Sequence, residues 1–490
     1  MAVSLYTSRI VLNTLGVEDF GIYNVVGGFV TMFGFLNSAM ASATQRFLAF
    51  EIGRNDKIHL RNVFSMSVNI HFFIAFIILI LAETVGLWFI NAQLTIPPER
   101  MIAAQWVYQF SILTLMVNIV SVPYNAMIIA HERMGIFAGM SIIEVILKLF
   151  IVFMLQWFGF DKLKLYAILM FGVALIIRVI YKLYCNKQFM ESKFRWYWDQ
   201  ILFKQIFRHS GWMLFGTSTS MLSGQGVNMI MNIFFGVTVN AARGIAYQLQ
   251  GAVNGFISNY MMAVQPQIIK TYAQNEYKEM YKLVFSSSKF SFFLLFLISL
   301  PVLLLTETIL QWWLKIIPDH ATLFARLTII DLFFTALFPS IATVSQASGK
   351  IRSYQLVISI SFFMVFIITY LLYKLGYPCY FAFIVMILTS FLGLFARILI
   401  LKIQLFFPAR DYILKVLLPI CYSIFLSIPI PLVTMLLLKN NNDIFRFLSV
   451  CIISVFSTIM GIWIGGINKN EKEIITNKVL QLFNKLIRNK

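Results

Sequence analysis

The chain has 490 residues, 60% of them hydrophobic and only 12% charged, with Lys+Arg 39 against Asp+Glu 20 and a formal net charge of +19. A soluble protein of this size carries about twice that share of charge, so a water-soluble globular domain is excluded. Apolar stretches of about 20 residues recur along the whole length, which predicts a polytopic all-α membrane protein and not a β-barrel.

In chain order, the predicted spans are residues 1–15, 21–50, 63–90, 101–130, 135–158, 164–183, 209–235, 241–269, 287–314, 321–348, 353–373, 378–401, 415–438 and 446–466, fourteen in all. The first is incomplete, because only 15 residues precede Gly16. A native start roughly 15–20 residues further upstream is expected from spanning length, with no cleavable signal peptide. Gly27-Gly28, Gly251-x-x-x-Gly255 and the serines around Ser218–Ser223 put small residues in helices, where they predict close packing. Pro123 and Pro339 lie inside spans, and kinks are expected there because proline removes a backbone donor.

The stretch Asn13–Ser65 has a second copy at Asn232–Ser286. Gly16-Val17 matches Gly236-Val237 at an offset of 220, and Val63-Phe64-Ser65 matches Val284-Phe285-Ser286 at 221. Glu83-Thr84 with Trp88 matches Glu307-Thr308 with Trp312, and Pro123 matches Pro339. Chance similarity between apolar helices is the bland reading, but the matches include Gly, Pro, Glu and Trp and keep their order. The pattern predicts two parallel six-helix repeats, residues 1–185 and 209–402. A linker, 186–208, joins them and carries Phe194-Arg195-Trp196-Tyr197-Trp198, a composition suited to the membrane interface. Residues 403–466 add a helix pair without a repeat partner. The basic tail 467–490 is expected to lie on the membrane as an amphipathic helix.

With the N-terminus inside, the inside segments hold 25 basic residues and the outside segments 7. That obeys the positive-inside rule, places both termini in the cytoplasm, and accounts for the net charge without nucleic acid. Cys185, Cys379, Cys421 and Cys451 are isolated, so no disulfide frame, metal site or cofactor is expected.

Seven basic residues fall within predicted spans: Arg9, Arg46, Lys148, Arg178, Arg243, Arg326 and Arg397. The acids there are Glu83, Glu144 and Asp331. Charge at this depth costs at least about 2.5 kcal/mol, so such residues face a cavity or a partner. Glu144 and Lys148 are four apart and can pair on one helix face, for structure or for function. Arg397 lies near a helix end and is expected to snorkel to the interface. Each remaining arginine either snorkels, caps a helix end or meets an anionic substrate. Arginine stays protonated and its planar fork fits phosphate. Arg9, Arg46, Arg243, Lys148 and Arg178 are the candidate substrate-binding set, with Glu144 and Asp331 as coupling or structural acids.

Thr7-Ser8-Arg9, followed by Leu15-Gly16-Val17-Glu18-Asp19-Phe20-Gly21-Ile22-Tyr23, resembles the first helix and loop of the Wzx-type polysaccharide flippases. Gln45-Arg46-Phe47 through Gly53-Arg54 resembles that family's second helix and loop. These flippases belong to the MOP superfamily, with the MATE transporters and the MurJ lipid II flippase. The resemblance implies twelve core helices in two lobes plus two more, in a bacterial inner membrane. It implies alternating access that moves an undecaprenyl-diphosphate-linked oligosaccharide (an O-antigen, capsule or exopolysaccharide unit) to the periplasmic leaflet. It also implies membrane lipids, a polysaccharide polymerase and other export machinery as partners, and a cargo-binding role for Arg9. The alternative is a MATE-like cation-coupled drug antiporter, which would want acids in its cavity. A membrane enzyme is disfavoured: no outside loop exceeds about 15 residues, too little chain for a folded domain, and no catalytic cluster is evident.

Overall fold

The structure is a computed structural model. It describes residues 34–92, 97–157, 161–314, 317–438 and 442–469, together with 11, 14–16, 19, 22–23, 26–27, 30, 471–473 and 476–477. Arg9, most of the first predicted span and most of the tail lie outside the described residues.

The first half contains α1 (Gly34–Arg54), α2 (Lys57–Leu81), α3 (Met101–Ala130), α4 (Met134–Trp157) and α5 (Lys162–Gln188). The second contains α6 (Gln200–Phe235), α7 (Val237–Ala273), α8 (Tyr277–Leu304), α9 (Thr306–Trp313), α10 (Ala321–Thr335), α11 (Phe338–Ser348), α12 (Arg352–Lys374) and α13 (Phe381–Leu405). The added pair is α14 (Ala409–Leu437) and α15 (Asp443–Gly466). Among the described residues there is no strand, and ten helical segments are long and apolar enough to cross a membrane. The fold is thus all-α and polytopic. In α4 only 12% of the most apolar window is buried, against 61% for the α2 and α8 spans. α4 therefore presents its side chains outward to lipid, whereas α2 and α8 are packed inside their bundles.

Duplication is visible in the backbone. Gly16 and Gly236 have φ +83° and +79°, and Asn55 and Asn275 have φ 57° and 61°, both pairs 220 residues apart. Glu132 and Gly349, 217 apart, have φ 60° and 75°. Left-handed backbone is rare outside glycine and asparagine, so three matched occurrences reflect the same chain path taken twice. At the proline pair the copies differ. Pro123 sits within an unbroken α3, whereas Pro339 is the second residue of α11, just after the non-helical Ala336 and Leu337. In the second copy a two-residue turn interrupts the helix before the proline. There proline occupies the first turn of a new helix, where its missing N–H has no intrahelical partner to lose.

Contacts divide the chain into two compact units, residues 1–218 with 269–276, and residues 219–268 with 277–490. In the first, Arg100 clamps both Asp19 and Asp161, and Asp161 also caps α5 by accepting from Leu163 N at 3.1 Å. The linker is strapped across α2. Asn69 Nδ2 donates to Tyr197 O at 2.8 Å, Arg61 Nε to Lys193 O at 3.3 Å, and Arg195 N to Ser65 Oγ at 3.3 Å. Trp196 and Trp198 remain exposed, as an interfacial segment requires. Asp199 then caps α6 through Leu202 N and Ile201 N, and those donors hold its carboxyl below the ordinary carboxylate range.

In the second unit Ser223 Oγ donates to Phe362 O at 2.7 Å, and a Cβ on Gly226 would come within 2.7 Å of the Phe366 ring, so α6 and α12 pack closely through small residues. Gly251 and Gly255 do not pack in this way. A Cβ at either would meet nothing within 4 Å, and Gly251 borders a cavity.

The end of α7 packs against α1 through Gly53, where an added Cβ would stand 2.7 Å from Lys270 O and 2.8 Å from Lys270 Cα. The Lys270 side chain is held by Glu132. Backbone cannot yield as a side-chain tip can, so Gly53→Ala is expected to destabilise the protein by about 1–3 kcal/mol. Thermal unfolding in detergent would show this as a lowered melting temperature. An unchanged value would contradict the packing.

Candidate functional site

The second unit encloses a cavity of about 370 Å³. Its walls are single helix faces: Ser220, Ser223, Gly224 and Val227 from α6, Arg243 and Tyr247 from α7, Asp331 and Thr335 from α10, and Met386, Thr389, Ser390 and Arg397 from α13. The spacings of three, four and seven residues put each set on one side of its helix. Phe338, Ser361, Phe362 and Val365 complete the lining. A second cavity of about 480 Å³ shares Tyr247, Asp331, Thr335 and Phe338 and is otherwise edged by Gln250, Asn254 and Ser258. Asp331 therefore stands between two spaces, beside the break that separates α10 from α11.

Three charged side chains in this lining are almost wholly buried: Arg243 is 9% exposed, Asp331 6% and Arg397 6%. Arg243 Nη2 donates to Gly224 O at 3.0 Å, and its guanidinium lies over the Tyr247 ring at 4.4 Å. The Arg397 guanidinium lies over Phe338 at 3.7 Å. Arg243 Nε, Arg397 Nε and Asp331 Oδ1 are buried with no hydrogen-bond partner. Buried charge with unused donors and acceptors is expensive, and in a membrane-spanning bundle it marks a ligand or ion path. Two cations against one carboxylate leave the cavity net positive. Six serine and threonine side chains, Ser220, Ser223, Thr335, Ser361, Thr389 and Ser390, line it as well.

Arg397 was expected to snorkel to the interface, and the structure overturns this. It is 6% exposed and faces the cavity, because Gly393 one turn earlier leaves room for it: a Cβ there would stand 2.7 Å from Arg397 Nη1. The signal lay in the repeat, since Arg178 is its partner at an offset of 219. Arg178 itself is half-buried, with Nη1 unpartnered.

The first unit has a smaller cavity of about 350 Å³, lined by Tyr23, Gly27, Ser111, Thr114, Asn118, Ala167 and Met170 among others. Tyr23 and Gly27 correspond to Arg243 and Tyr247 at an offset of 220, and Ala167 and Met170 to Met386 and Thr389 at 219. The two units thus carry related cavities. Among the described lining residues of the first, none is charged. Arg46 is buried elsewhere in that unit, 8% exposed, with its guanidinium over Phe47 at 4.6 Å and Phe50 at 4.8 Å. Lys148 pairs with Glu144 at 2.6 Å, both about two-fifths exposed, and lines neither cavity. The structure therefore brings Arg243 together with Asp331, adds Arg397, and leaves Arg46, Arg178 and the Glu144–Lys148 pair apart. Among the described residues no group of three or more His, Cys, Asp or Glu could hold a metal ion.

No protein-family model and no curated protein matches the sequence. Solved structures do. An outward-facing multidrug resistance MATE family transporter of the MOP superfamily matches at 13% identity with TM-score 0.70, covering 82% of this chain and 91% of its own. A MATE transporter in the straight conformation gives 13% and 0.70, covering 82% and 92%. A MOP superfamily transporter from Pyrococcus furiosus, described as having a binding pocket of reversed polarity that suggests a different function, gives 13% and 0.66, covering 84% and 93%. The chain therefore has a MATE-like transporter fold.

A net positive cavity should draw anions. With the accessible Cys421 and Cys451 replaced by serine, Ser390→Cys is expected to react with a sulfonate-bearing methanethiosulfonate faster than with its trimethylammonium counterpart, by roughly an order of magnitude. Equal rates, or preference for the cation, would mean that Asp331 and not the arginine pair governs the cavity.

Proposed function

We propose that this protein transports an anionic, lipid-linked oligosaccharide across a bacterial inner membrane by alternating access. In this reading both termini are cytoplasmic, and the cargo is carried by undecaprenyl diphosphate. The observation that carries this reading is the pair of arginines, Arg243 and Arg397, each more than nine-tenths buried with Nε unpartnered, and both lining one cavity. Arginine cannot shed its charge at this depth, and Asp331 offsets only one of the two, so the cavity favours an anionic visitor. Hydroxyls and aromatic faces around it suit sugar rings. Arg9, Arg46 and Arg178 extend the cationic set along the chain. The tails of such a cargo stay in the bilayer while the head group crosses, which needs no catalytic residue. A polymerase that consumes the delivered unit is the natural partner.

A second reading has one observation in its favour. Asp331 is buried with Oδ1 unpartnered between the two cavities, as a cation-coupled antiporter would require of a carboxylate.

Proteoliposomes with fluorescent undecaprenyl-diphosphate oligosaccharide separate the two. Wild type is expected to move label between leaflets, Arg243→Ala and Arg397→Ala to slow this tenfold or more, and Asp331→Asn to act on its driving-ion dependence; one lost charge-assisted contact is worth about 1.5–3 kcal/mol. No movement by well-folded wild type, together with drug export that depends on Asp331, would favour the antiporter.

A further inference from the structure

The repeat contains a basic helix face that the cavity does not use. Lys57, Arg61 and Ser65 on α2 correspond to Lys278, Lys282 and Ser286 on α8 at an offset of 221. In the first copy this face is covered by backbone: the linker brings Lys193 O to Arg61 and its Arg195 N to Ser65. Eleven residues, 189–199, separate α5 from α6 and make that crossing possible. In the second copy only residues 406–408 separate α13 from α14, and the chain turns back into helix at Ala409. Three residues are too few to lay a strap along the α8 face.

What remains is a pocket of about 380 Å³. Lys278, Lys282, Ser286 and Lys289 share one stripe of α8, and Lys415 faces them from α14. The wall is rigid. Tyr281 OH donates to Leu405 O at 3.2 Å, and Phe285 packs edge-on against Phe407 and Tyr412 at 5.9 and 5.6 Å. At the floor, the Lys289 side chain is 4% exposed and is bonded at 2.6 Å to Glu471, which also accepts from Ser286 Oγ at 3.3 Å. An ammonium has three donors, and Glu471 is the one partner recorded for Lys289 among the described residues. Asp411, paired with Lys415 at 2.6 Å, is the other carboxylate in the lining. Four lysines against two carboxylates give the lining a net charge of +2, with Glu279 just outside it at 3.7 Å from Lys282.

We propose that this pocket is a phosphate seat, filled by the head group of an anionic phospholipid. A phosphate supplies here the acceptor oxygens that the linker backbone supplies in the first copy. The acyl chains continue along α14, whose Leu414, Leu418 and Tyr422 are exposed beyond the pocket. Basic pockets between spans are where such head groups bind. The inference is independent of the cargo and of the arginine cavity.

Native mass spectrometry of the purified full chain tests it, with phosphatidylglycerol, phosphatidylcholine and inorganic phosphate as probes. Phosphatidylglycerol is expected to be retained in preference to phosphatidylcholine. Lys278→Gln/Lys282→Gln/Lys415→Gln should weaken its retention by roughly fivefold per lysine removed. All three are exposed, so the variant should fold, and an unchanged melting temperature would confirm that. The exposed pair Lys374→Gln/Lys402→Gln serves as the control and should leave retention unchanged. Displacement of phosphatidylglycerol by inorganic phosphate, lost in the triple variant, would keep the seat and assign it to free phosphate. Equal retention of the two lipids, or equal loss in the triple variant and the control, would overturn the proposal.

Discussion

Everything distinctive in this molecule follows from holding charge where water is scarce. An arginine inside a membrane-spanning bundle cannot neutralise itself, so it needs donors satisfied, a polarisable surface beside it, or a counter-charge. Arg243 has the Gly224 carbonyl and the Tyr247 face, while Arg397 has the Phe338 face. Each arrangement demands small residues nearby, since Arg397 fits only because Gly393 lacks a side chain. Supports of this kind fix the guanidinium groups yet leave Nε of both without a partner. That combination of held position and unspent donors is what a transient anion needs. Lys289, by contrast, has its counter-charge within the fold, in Glu471 at 2.6 Å.

Duplication supplied the frame and then let its two copies diverge. The left-handed turns at Gly16 and Gly236, and at Asn55 and Asn275, keep the path of the chain the same in both. These positions are constrained by backbone geometry, so side chains elsewhere were free to change. They changed most where they meet a cavity: Tyr23 in one unit stands where Arg243 stands in the other. The helix break after Thr335, present in one copy and absent at Pro123, places Asp331 and Phe338 on opposite sides of a backbone discontinuity. The residues flanking the break, Thr335 and Phe338, line both cavities of that unit.

Much of this was legible in the sequence. Span length, the repeat and the intramembrane cations are one-dimensional signals, and all-α polytopic architecture follows from them. What was lost depended on rotation about a helix axis or on the partner across it. Arg397 lies close to the end of α13, and position alone cannot distinguish a side chain that reaches the interface from one that turns inward beneath Phe338. Gly251 and Gly255 have the spacing of a packing motif, yet they border open space, because spacing says which residues share a face and not what that face meets. Lys148 and Glu144 were readable as a pair since an i,i+4 contact is local, but their partial exposure was not.

Likeness of fold and identity of cargo rest on different residues. The match to MATE-like structures at 13% identity reflects the path of the chain and not the identity of its cavity side chains. Cargo is selected by the few positions at which a charge is buried, and a fold hosts many such choices. Here the described part of one unit's cavity is neutral while the other's holds two arginines and one aspartate. A scaffold made of two related halves can thus specialise by charging one of them. The sign of that charge, more than the fold, is the property from which function must be argued.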